Sequence, residues 1–196
     1  MPIDTRSRIA AAFVLAAGLW LAGSAPALAF ESLLSGTSGA KACMAAARLA
    51  ADRHLVDTPA LLDCDRAIER DSLNGHDLAA TYVNRGIIRI CAGNYPVAER
   101  DFDEAIRVMP ELAGAHMNRG AVLIALNRPQ EAVEALDRSI ALGTPEPERA
   151  YFDRALAREK LNDIKGAYYD LKQAAALNPA WDAPGKELSY FQVTRQ

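Results

Sequence analysis

Tyr82-Val83-Asn84-Arg85-Gly86 and His116-Met117-Asn118-Arg119-Gly120 share one pattern at an offset of 34 residues: a ring, an apolar residue, then Asn-Arg-Gly. Tyr151-Phe152-Asp153-Arg154-Ala155 repeats it at an offset of 35. Downstream of each, small and large apolar residues also recur. Ala98, Phe102, Ala105 and Pro110 return as Ala132, Leu136 and Ser139, then as Ala167, Leu171, Ala174 and Pro179. A fourth, divergent copy precedes these, where Cys64-Asp65-Arg66-Ala67-Ile68 matches Phe102-Asp103-Glu104-Ala105-Ile106. A fixed period of this length marks a stacked repeat architecture, so it governs the reading of the rest.

Each copy reads as two helices. In the best copy, residues 79–92 carry apolar side chains at helical spacing and stop at Gly93-Asn94. A second helix is predicted over 97–108, opened near Tyr95-Pro96 and closed before Pro110. Asn127-Arg128-Pro129 and Asn162-Asp163 make the corresponding turns further on. The first copy is expected to leave by a longer loop, 71–77. Composition agrees with an all-α chain: 39 of 196 residues are Ala and only 7% are aromatic, which suits closely packed helices and not a β-sandwich.

The pattern resembles the tetratricopeptide repeat, on Tyr82, Gly86, Ala98, Phe102, Ala105 and Pro110. Arg85, Arg119 and Arg154 depart from it, standing where the common pattern has Leu, and Ala155 replaces Gly. The resemblance implies a right-handed α-solenoid of about four antiparallel helix pairs over residues 38–181, divided near 38–77, 78–112, 113–147 and 148–181. Residues 182–196 are expected to cap the last repeat, with a short element over 185–192, broken from the preceding segment at Pro184-Gly185 and helped by Trp181.

The first 29 residues read as a secretory signal. Arg6 and Arg8 precede an uncharged apolar run over 9–23, and Ala27 and Ala29 form a small-x-small cleavage pattern. The run is shorter than the roughly 20 residues of a membrane span. Cleavage after Ala29 is therefore expected, followed by a linker over 30–37 and a soluble exported chain, periplasmic or secreted, with no membrane span.

Charge and motifs exclude several functions. A net charge of −3 does not fit a nucleic-acid binder. His54, His76 and His116 lie in no metal-ligand spacing, and His116 takes the ring position of its repeat, where packing is its expected role. There is no phosphate loop and no G-x-S-x-G elbow. Asp63 with Asp65, and Asp101 with Asp103, lie two apart on helices and point in different directions, so they read as solvated or salt-bridged faces. No catalytic residue, cofactor, metal or small-molecule substrate is expected. The functional reading is a scaffold that binds a protein or peptide partner in the cell envelope; the alternative is an accessory subunit of an envelope enzyme complex.

An Arg within the first helix of a repeat needs a partner. Asp65, Asp103 and Asp137 precede Arg85, Arg119 and Arg154 by 20, 16 and 17 residues, which predicts a ladder of inter-repeat ion pairs. An Arg-lined groove for anions is the alternative. Cys43 and Cys64 fall on the two helices of the first repeat, flanking a turn over 55–59, and a disulfide there would staple the terminal unit. Cys91 is left as a small buried residue.

The resemblance also implies a binding surface, because the family lines its concave face with first helices. Position by position this gives Val83, Asn84 and Ile87, then Met117, Asn118 and Ala121, then Phe152, Asp153 and Leu156. The two Asn stand where the family commonly carries an amide that holds a peptide backbone. Ala80 and Gly114 replace the basic residues of the family's carboxylate clamp. The ligand implied is an extended, neutral or apolar segment, and Asp153 disfavours an acidic one at its end.

Overall fold

Four residues open the left-handed turns that divide this chain: Gly93, Asn127, Gly143 and Asn162, with φ of 73°, 58°, 73° and 62°. Three of them close the first helix of a pair and reverse the chain into the second. At Gly93 the amide donates to the Ile90 carbonyl and the next amide donates to Arg89, satisfying carbonyls that the helix end leaves open. The computed structural model describes residues 38–53 and 58–191. The segments expected as signal and linker lie outside the described residues.

Among the described residues the structure is entirely helical: α1 Ser38–Arg53, α2 Thr58–Arg70, α3 Gly75–Cys91, α4 Tyr95–Val108, α5 Ala113–Ala125, α6 Pro129–Ala141, α7 Pro147–Lys160, α8 Ile164–Leu177 and α9 Asp182–Leu188. The pairs α1–α2, α3–α4, α5–α6 and α7–α8 form the right-handed solenoid, and α9 packs on α8.

Three boundaries differ from the sequence expectation. The helix expected from residue 79 begins at Gly75, because Asn74 accepts a hydrogen bond from the Asp77 amide at 2.9 Å and Asp77 places a carboxylate in the first turn. The exit loop is correspondingly shorter than 71–77. The predicted turn over 55–59 is also shorter, since Thr58 and Pro59 already belong to α2, while 54–57 lie outside the described residues. Pro184-Gly185 does not break the chain: both lie within α9, with Pro184 in the first turn, where a missing N–H costs no helical hydrogen bond.

Within each pair one large side chain fills the gap between helices. Phe102, Leu136 and Leu171 occupy corresponding places and are fully buried. Burying such a side chain contributes about 2–3 kcal/mol. Their seats depend on small residues opposite: a Cβ at Gly86 would lie 2.7 Å from the Phe102 ring, and one at Gly120 would lie 2.6 Å from Leu136 Cγ. At the C-terminal end, Trp181 packs on Phe152 with ring centroids 4.8 Å apart, and Tyr168 meets Phe191 at 6.0 Å. The last repeat is therefore covered by aromatic side chains as well as by α9.

Candidate functional site

The expected groove positions lie on α3, α5 and α7. Val83, Asn84, Ile87, Met117, Asn118, Phe152 and Asp153 are buried, and Ala121 and Leu156 are half-buried. Met117 accepts a weak hydrogen bond from the Thr144 hydroxyl at 3.7 Å, and Phe152 is engaged with Trp181. The three polar members form one row, a single residue per repeat. Asn84 Nδ2, Asn118 Oδ1 and Asp153 Oδ2 are buried and find no hydrogen-bond partner among the described residues. Buried polar atoms in native proteins are nearly all paired, so three unpaired atoms at one repeat position call for a physical account.

The row ends in an acidic group. Arg149 and Asp153, four residues apart, share one face of α7, and Glu146 is the N-cap residue just before it. Arg149 Nη1 lies 3.3 Å from Glu146 Oε2. That Glu146 oxygen is buried, and the ion pair with Arg149 is its one partner among the described residues. Burial pushes the Asp153 carboxyl up to about 7; Arg149 opposes this and Glu146 adds to it. Burial also raises the Glu146 carboxyl, against the pull of Arg149.

The arginines are engaged and do not line an open groove. Arg85 Nη1 lies 2.6 Å from Asp65, Arg119 Nε 2.7 Å from Asp103, and Arg154 Nη1 2.6 Å from Asp137. Sequence reasoning missed their deeper partners. Arg85 and Arg89 both donate to Asp101, at 2.7 and 2.6 Å, and Arg154 and Arg158 both donate to Asp170, at 2.6 and 2.7 Å. Asp101 and Asp170 are buried, whereas Asp103 and Asp137 are half exposed and Asp65 somewhat less. Burial works against the Arg85 charge, but its bonds to Asp101 and Asp65 outweigh that and hold its pKa above the ordinary value.

A signal for this cluster was present in the chain: Arg-x-x-x-Arg with Asp twelve residues on, at Arg85, Arg89 and Asp101, and again at Arg154, Arg158 and Asp170. The intervening repeat carries Leu123 and Ala135 at the matching places, both buried. Charge and countercharge are replaced together, and Arg119 turns instead to Asp103 and, at 3.9 Å, to Glu99. An apolar substitute for a buried ion cluster is often neutral for stability, whereas removing one partner alone is costly.

Cys43 and Cys64 are joined by a disulfide, with Cα atoms 4.7 Å apart and both residues fully buried. Cys91 is half-buried, and burial pushes its thiol up. His116 packs part-buried, with Nε2 2.8 Å from the Pro110 carbonyl oxygen. Among the described residues there is no group of three His, Cys, Asp or Glu side chains placed to hold a metal ion, and no helix is long and apolar enough to cross a membrane.

Paired helices, a recurring close approach at Gly86 and Gly120 and a conforming 34-residue period define a repeat solenoid. The tetratricopeptide repeat family model matches residues 83–147 and 122–181, together half of the chain, and the chain belongs to that family of protein-interaction modules. It is 29% identical over 128 residues to an FK506-binding protein-like protein of Mus musculus, covering 61% of this chain and 37% of that one. It is 31% identical over 118 residues to a DnaJ homolog subfamily C member 7 homolog of Schizosaccharomyces pombe, covering 56% and 24%. The chain thus spans well under half the length of these curated relatives.

Among solved structures, MamA (residues 41 to the end) from Desulfovibrio magneticus RS-1 superposes with a TM-score of 0.64 at 20% identity, covering 80% of this chain and 85% of that one. The Arabidopsis OM64 tetratricopeptide domain gives 0.57 at 22%, covering 59% and 95%. The first such domain of Spaghetti (RPAP3), solved with the HSP90 peptide SRMEEVD, gives 0.54 at 22%, covering 57% and 87%.

Proposed function

We propose that this chain is an exported, non-catalytic scaffold of the cell envelope that holds an extended, mostly neutral or apolar segment of a partner protein against α3, α5 and α7. The row of unpaired atoms at Asn84, Asn118 and Asp153 carries the reading. A peptide backbone offers a donor and an acceptor at every residue, and an Asn amide matches both. Three such atoms spaced one per repeat are what an extended strand of polypeptide would satisfy in succession. They are buried, so a ligand reaches them only by displacing what covers them. Binding and a local opening of the groove are then one event, driven partly by hydrogen bonds that the free chain leaves unmade.

The HSP90 peptide in the Spaghetti complex is acidic. Ala80 and Gly114 supply no cation for such a ligand, and Arg149 is already engaged by Glu146. Export is supported by residues 1–29 and by the buried Cys43–Cys64 disulfide, a bond typical of oxidising compartments. Two experiments test the proposal. Fractionation and N-terminal sequencing should place the chain outside the cytoplasm, starting at Phe30; an uncleaved cytoplasmic chain would overturn the export. A photo-crosslinker at the half-buried Ala121 or Leu156 should capture a partner segment, and Asn84→Ala with Asn118→Ala should weaken that capture while helical content is kept. Equal capture by the double mutant would move the site off this face.

A further inference from the structure

The two amides of the polar row give way to a carboxylate in the fourth repeat, and the neighbouring side chains make that end of the row acidic. Resting on the peptide-groove reading above, we infer that the C-terminal end of the groove selects a partner segment bearing a Lys or Arg, whose cationic head lies between Glu146 and Asp153. Three observations carry this. First, Asp153 is 6% exposed and its Oδ2 has no hydrogen-bond partner among the described residues. A buried carboxylate oxygen left unpaired is far costlier than an amide in the same position. Second, Glu146 sets another buried carboxylate oxygen at the start of α7, and Arg149, whose Nη1 lies 3.3 Å from that oxygen, is the cation that acts on both carboxylates. One more positive charge would balance the group. Third, the arrangement runs from rim to floor. The Glu146 side chain keeps 18% exposure, while Asp153 is recessed about two turns further along. Lys and Arg carry charge on a long apolar stem, which suits a recessed acceptor behind an apolar wall such as Phe152 and Leu156.

The chemistry is opposite in sign to an acidic-tail ligand and narrower than a neutral one. A neutral or apolar segment satisfies Asn84 and Asn118, and the cation sets its register by fixing which residue stands at the fourth repeat. Within the polar row, Asp153 is thereby a specificity residue, while the two amides hold backbone.

The test uses the mature chain and a fixed panel of fluorescein-labelled decapeptides, apolar and neutral except at one scanned position occupied by Lys, norleucine or Glu. Binding is read by fluorescence anisotropy. The expected result is a position at which Lys binds at least about tenfold more tightly than norleucine, with Glu weakest. Asp153→Asn recreates the residue of the two preceding repeats and should erase the Lys preference while norleucine peptides still bind. Glu146→Gln, near the rim, should reduce the preference in part and serves if Asp153→Asn does not fold. Binding of neutral peptides with no charge preference, or a preference that survives both substitutions, overturns the acidic end and leaves the groove reading standing. No binding by any peptide of the panel overturns both.

Discussion

Replacing Asp153 by Asn should change how stability depends on pH. In the folded chain burial pushes this carboxyl from 3.8 to about 7. In the unfolded chain it ionises at its ordinary value. Between about pH 4 and pH 7 the folded state therefore keeps a proton that the unfolded state has released, and stability falls as pH rises through that window. Below it both states are protonated, and above it both are ionised, so the loss levels off. A shift of roughly three pH units corresponds to a ceiling of about 4 kcal/mol, at about 1.4 kcal/mol per unit. Relaxation around the site brings the expected loss to roughly 2–4 kcal/mol. Asn cannot ionise, so the stability of Asp153→Asn minus that of the native chain should be small at pH 4.5, grow steadily to about pH 7.5, and then stay constant. Glu159, also pushed up to about 7 by burial and by Glu187, is common to both proteins and cancels in the difference. Urea unfolding followed at 222 nm across five pH values, with both proteins oxidised, gives the comparison. Stability curves that run parallel from pH 4.5 to 8.5 would refute the reasoning, because the carboxyl would then titrate alike in both states.

Asp101→Ala strips two guanidinium groups of their buried partner and should cost about 3 kcal/mol in urea unfolding, whereas Asp103→Ala, half exposed, should cost less than about 1 kcal/mol; equal costs would show that depth is not what matters. Gly120→Ala drives a Cβ to 2.6 Å from Leu136 Cγ, and the overpacking should exceed the gain in helix propensity, lowering stability by about 1–2 kcal/mol in a thermal melt. Cys43→Ser with Cys64→Ser opens a loop with a sequence separation of 21 and should cost about 3 kcal/mol, matched by adding reductant to the native chain and unaffected by reductant in the mutant. Identical unfolding of the oxidised and reduced native chain would count against the staple.

The period of the chain made the helix pairs readable, because Gly86, Phe102 and Ala105 mark close approaches that recur between the two helices of a pair. Local cues settled less. The Asn74 cap that draws α3 back to Gly75 lies outside the repeat pattern, and Pro184 looks like a breaker until its place in a first turn is known. At the arginines, sequence spacing found the exposed partners across repeats but not Asp101 and Asp170 within them. An Asp that anchors two arginines from the interior looks the same in sequence as one facing water; only helix phase separates it from Asp103, two residues on. The groove set was obtained from the family's register, and sequence carried no sign that seven of its nine residues would be buried or that Asp153 would keep an unpaired oxygen.

The disulfide also gives the molecule a mechanical polarity. Under tension between its two ends, the 21-residue separation of Cys43 and Cys64 is withdrawn from the length that can be drawn out, roughly 70 Å of extended chain. Among the described residues the other end carries no disulfide, and its last helix is the seven-residue α9, packed with Trp181. Pulled or melted, the rod frays from α9 toward α1, and each helix pair that peels away exposes the apolar face of the pair before it. A partner attached near the fourth repeat is thus held at the soft end, and one attached near the first repeat at the rigid end.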